Sequence, residues 1–95
     1  MTAAEHWHHV RQNHRGPYRF HAVRPPNTPR GRPSSEWFRW RVEADDVAEE
    51  ANALLGDPRD TIIAIDVWSE KESQFVMTFR SAPGERKPWR TNGEA

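Results

Sequence analysis

Imidazole is a good ligand for zinc, copper or nickel, and His6, His8, His9 and His14 lie within nine residues of one another, with His21 nearby. Their spacings of two, one and five leave no pair at the i, i+4 separation of a helical metal site. The chain has no Cys, so no thiolate completes a site and no disulfide forms. No metal is therefore expected, and residues 1–16 are read as a flexible, His-rich N-terminal arm. The competing reading is a His-dependent metal-binding protein or enzyme.

Carboxylates are the other candidates for chemistry. Asp57, Asp60, Asp66, Glu70 and Lys71 have some of the residue types of a nuclease centre, but Glu70 and Lys71 are adjacent and cannot both project from one strand face. The chain has no glycine-rich phosphate loop, nucleophile elbow or acid/base pair at a useful spacing. The expectation is a protein that is not an enzyme and needs no cofactor.

Arg19, His21, Arg39 and Arg41 with Trp37 form the strongest constellation. Indole and guanidinium groups are what protein interfaces concentrate at their energetic centres. The same groups suit single-stranded nucleic acid, where rings stack on bases and arginines meet phosphate; Tyr18 would have to leave the core to join them. Charge along the chain bears on this choice. Residues 1–41 carry eight Arg against two Glu (net +6), residues 42–72 carry ten acids against two cations (net −8), and residues 73–95 add +2. The overall neutrality is a cancellation, whereas a nucleic-acid module usually has a basic excess over its whole domain. Pro26-Asn-Thr-Pro29 matches a bare Pro-x-x-Pro core, which is common by chance.

Period-two alternation indicates strands over residues 18–23, 37–44, 61–68 and 74–80. Residues 24–35 hold four Pro and must be a loop. Between the two hairpins, Asp46-Val-Ala-Glu49 fits a capping box, Val47, Ala51, Leu54 and Leu55 form an apolar stripe, and Gly56 suits a helix end. Two and a half helical turns are expected there.

The order β-β-α-β-β predicts a small α+β two-layer sandwich, a four-stranded sheet made of two antiparallel hairpins with one helix on one face. The domain is expected over residues 17–82, with a disordered tail over 83–95. Ile, Leu, Val and Phe together number 15, so the core is small. It should comprise Tyr18, Phe20, Ala22, Phe38, Trp40, Val42, Ile63, Ile65, Val67, Phe75, Met77 and Phe79 under the helix stripe. Truncating Trp40 or Ile65 should then unfold the chain.

The opposite sheet face would carry Arg19, His21, Trp37, Arg39, Arg41, Ile62 and Trp68, with Ala64 and Val76. One helix cannot cover both faces, so the apolar members imply a cover. The candidates are the N-terminal segment through Trp7 and Val10, a second copy, or a different partner. A small non-catalytic interaction or accessory protein binding a protein partner or itself through this face is expected, and small phage or mobile-element modulators of host proteins fit this makeup. The alternative is a weak single-stranded DNA or RNA binder using the same Arg/Trp face. No run is long and apolar enough for a membrane span and the first residues lack a signal-peptide core, so a cytoplasmic location is expected, with no membrane partner.

Overall fold

The computed structural model describes residues 2–81; the expected tail over residues 83–95 lies outside the described residues. The elements run α1 (Ala3–Val10), β1 (Tyr18–Arg24), β2 (Ser34–Val42), a single 3-10 turn (Ala44–Asp46), α2 (Val47–Gly56), β3 (Ala64–Ser69) and β4 (Gln74–Arg80). The strands form one antiparallel sheet in the order β2-β1-β3-β4. Each hairpin is thus joined to the other through β1 and β3. Two helices lie on one face, with α1 against α2 and β4, and α2 against β3 and β4. No helix among the described residues is long and apolar enough to cross a membrane.

The N-terminal segment departs from the expected flexible arm. Thr2 caps α1 with a reciprocal box: Glu5 N–H donates to Thr2 Oγ1 at 3.1 Å, and Thr2 N–H donates to Glu5 Oε1 at 3.0 Å. Both contacts satisfy donors that a helix start leaves without partners. Trp7 is 3 % exposed and meets Tyr18 edge-on at 4.9 Å between ring centroids. Its indole N–H donates to Ala44 O at 2.9 Å, which removes the cost of burying a polar group. Trp7 therefore joins the main core on the helix side and leaves the other sheet face bare.

Residues 14–17 are strapped to the β3–β4 turn. Glu72 accepts from Arg15 N–H at 2.8 Å and pairs with His14 Nδ1 at 2.9 Å, and the buried Ser69 hydroxyl donates to Arg15 O at 2.6 Å. The His14 contact, aided by the Arg15 amide, holds the Glu72 carboxyl below its usual range. Tyr18 Oη donates to His14 O at 3.0 Å. Gly16 is required here, because a Cβ on it would come within 2.9 Å of the Tyr18 ring.

Two irregularities decide which face the aromatic residues occupy. In β2, Arg41 pairs with Arg19 and Trp37 with His21, so Phe38, Arg39 and Trp40 stand opposite Phe20 alone. Two extra residues preserve the faces of the flanking positions. Phe38 is buried, but Trp40 stacks on it at 4.6 Å and remains 47 % exposed, outside the expected core. In β4, Met77 pairs with Val67 while Phe75 pairs with Trp68, so Val76 is the extra residue. One extra residue reverses the face, and Phe75 stands 48 % exposed on the side away from the helices.

A third correction concerns Ile62 and Ile63. Strand β3 starts at Ala64 rather than Thr61, so alternation does not govern residues 61–63. Ile62 is fully buried in the core, and Ile63 is not among its buried members. The Ile63 backbone joins the sheet margin by donating to Val23 O and accepting from Ser81 N–H. Asp46 also differs from expectation, making no side-chain cap bond to α2, whose start is preceded instead by the 3-10 turn.

Candidate functional site

The face opposite the helices is built by all four strands. Cross-strand register sets Arg19 between Arg41 and Trp68, and His21 between Trp37 and Asp66. Phe75 comes from β4 opposite Trp68. Of the residues expected on this face, Arg19, His21, Trp37, Arg41 and Trp68 are brought together. Arg39 is exposed and falls on the same side by alternation between Phe38 and Trp40. Ile62 does not belong here.

Three large rings form the centre. Trp37 and Phe75 stack with a 17° interplanar angle at 5.6 Å; Trp68 stands edge-on to Trp37 at 5.7 Å and to Phe75 at 4.9 Å. Trp37 is 43 % exposed and Trp68 is partly buried. The His21 ring lies 4.9 Å from Trp37 and 5.9 Å from Phe75, and the Arg19 guanidinium carbon is 5.7 Å from the Trp37 ring centre. Each of the three rings thus meets the other two, in one stacked and two edge-on contacts. Edge-to-face and offset contacts of this kind stabilise by about 0.5–1.5 kcal/mol each beyond area burial.

The charged groups around the rings are mostly paired. Arg19 Nε and Nη2 donate to Phe38 O, at 3.3 and 3.0 Å, filling the carbonyl freed by the β2 irregularity. Glu70 accepts from Arg41 Nε at 2.9 Å and lies 3.6 Å from Arg19 Nε. His21 Nδ1 is 2.9 Å from Asp66 Oδ2, and the Thr78 hydroxyl donates to Asp66 Oδ1 at 2.6 Å. An ionised carboxylate only accepts, so the imidazole carries a proton on Nδ1. Asp66 thereby fixes the plane of a ring that packs on Trp37. The hydroxyl in this chain donates to Asp66 rather than facing the imidazole, so the group positions a ring and does not assemble a nucleophile with its base.

The remaining histidines are dispersed. His6, His8 and His9 are exposed on α1, and His14 is held by Glu72. Among the described residues there is no group of three or more His, Asp or Glu side chains that could hold a metal ion.

Sequence reasoning missed Phe75 and Thr78, and weighed Asp66 and Glu70 only as carboxylates of a nuclease centre. A bulge has no composition signal that period-two counting detects, which accounts for Phe75. The polar members are visible only once the β1–β3 pairing is known, because β1 and β3 are separated by thirty-nine residues of chain that include a loop, a strand and a helix. No protein-family model matches the chain, and no curated protein or solved structure matches it.

Proposed function

We propose that this is a small, non-catalytic interaction protein that binds a protein partner or a second copy of itself through the sheet face opposite its helices, with the cytoplasm as its expected compartment. The observation that carries the reading is the Trp37–Trp68–Phe75 cluster, which stands outside the cover of both helices. Both helices already pack on the other face, and Trp7, the residue that could have shielded this one, is buried there. Covering exposed indole and phenyl surface gains roughly 25 cal/mol per Å², and Trp and Arg are the residue types whose truncation most often weakens an interface.

Single-stranded nucleic acid is the second reading, favoured by exposed rings beside arginine. Two features weigh against it. A base needs an open ring face, whereas Trp37 already meets Phe75, Trp68 and Arg19. The chain also carries no net basic excess, which a nucleic-acid module usually has over its whole domain.

The test compares the intact chain with Trp37→Ala/Phe75→Ala by sedimentation velocity and by affinity capture with mass identification. Both substituted side chains are about half exposed, so the fold should survive, as circular dichroism would verify. Loss of self-association, or of a captured protein, in the double variant is the expected result. A strictly monomeric intact protein with the same captured set as the variant would overturn the reading.

A further inference from the structure

Charges on the sheet face and on the helix side differ in sign, and this constrains what can dock. The face carries Arg19, Arg39, Arg41 and Arg80 against Asp66 and Glu70; Arg80 shares the Thr78 side by alternation and pairs with Ala64. Both acids are engaged internally, Asp66 by His21 and Thr78 and Glu70 by Arg41 and Arg19. At the rims, Arg41 is 67 % exposed, and Arg39 and Arg80 form no ion pair among the described residues. On the helix side, Asp45, Asp46, Glu49 and Glu50 cluster in the 3-10 turn and the start of α2, with Glu43 just before them; among the described residues Asp45 alone of these is ion-paired, to Arg11 at 2.6 Å.

A two-fold dimer through this face would place the same patch against itself, setting basic rims against basic rims. A copy presenting its acidic helix side would make a head-to-tail contact that does not close. Nucleic acid supplies negative charge, but its bases would have to separate rings that are packed together.

We propose that the partner of this face is an acidic protein segment bearing apolar side chains, whose carboxylates meet Arg39, Arg41 and Arg80 while its apolar groups cover Trp37 and Phe75. This rests on the interaction reading above and selects one partner chemistry within it. A carboxylate suits a guanidinium rim in two-pronged geometry, and apolar side chains suit an aromatic centre whose rings are packed on one another, with Trp37 and Phe75 about half exposed.

The experiment titrates the full chain into labelled probes and follows anisotropy. The probes are an alternating Glu-Leu peptide, its Lys-Leu and Glu-Ser counterparts, and an oligothymidylate. Glu-Leu should bind at least about tenfold more tightly than either other peptide, and Arg39→Glu/Arg41→Glu should weaken it by a similar factor. Equal binding of Glu-Leu and Lys-Leu, or no binding of Glu-Leu, would overturn the acidic partner. Because the peptide comparison uses the unsubstituted protein, it stands even if the charge-reversed variant fails to fold. If sedimentation shows self-association that Trp37→Ala abolishes while Glu-Leu does not bind, the interaction reading survives and only the acidic partner falls. Oligothymidylate binding more tightly than Glu-Leu and lost in Trp37→Ala would overturn both.

Discussion

Glu70 stands between two arginines that the sheet register sets opposite each other. Arg19 and Arg41 are direct cross-strand neighbours, a like-charge arrangement that destabilises a sheet, and the Glu70 carboxylate reaches both. Its position is fixed by its own N–H, which donates to Pro17 O at 3.1 Å. A more enclosed ion pair ties β1 to the segment before β3. Arg24 donates from Nε and Nη2 to the two Asp60 oxygens at 2.8 and 3.0 Å. The Arg24 hydrogen bonds hold the Asp60 carboxyl below its ordinary range, and Arg24 is correspondingly harder to deprotonate. A depressed carboxyl pKa contributes stability above the unfolded value and loses it as pH falls through the folded value. Urea unfolding should therefore show stability declining below about pH 4, and Arg24→Met should flatten that decline. An unchanged slope in the variant would mean that the pair is not coupled to folding.

At the scale of elements, the helix termini separate two signals that look alike in one dimension. Thr2 and Asp46 both stand before an apolar-periodic stretch with Glu three residues later. Only Thr2 makes the cap, because the 3-10 turn leaves Asp46 with helical backbone angles, whereas a capping residue needs an extended one. Thr2→Ala should cost about 1 kcal/mol and Asp46→Ala less than about 0.5 kcal/mol, measured by thermal unfolding. Equal costs would show that the Thr2 box adds no more to the folded state than Asp46 does.

The four strands, the second helix and most of the buried layer were legible because period-two alternation and the Val47, Ala51, Leu55 stripe are direct records of burial. The first helix was legible only as a short, marginal possibility, from Trp7, Val10 and His14 at helical spacing. Only Trp7 of its eight residues is buried, with Ala3 and Val10 packed at the margin, and its anchorage depends on Trp7 finding Ala44 O thirty-seven positions away. Phe75 and Ile62 were misplaced because each lies past a bulge or beyond a strand end, where alternation stops describing the chain, whereas Trp40 keeps the Phe38 side but stays exposed on the edge strand β2.

For the molecule as a whole, the layers are unequal. One face of the sheet is closed by two helices, and the other keeps an aromatic centre with a basic rim. Trp7, Trp37, Trp40 and Trp68 sample the core, the site centre, the β2 margin and the site flank, so their indole N–H signals map a contact without any substitution. Titrating the alternating Glu-Leu peptide into the isotopically labelled full chain and following those signals is the most direct test of the central claim. The Trp37 and Trp68 resonances are expected to shift while Trp7, bonded to Ala44 O, stays in place. Shifts confined to Trp40, or none at Trp37 and Trp68 at saturating peptide, would contradict it.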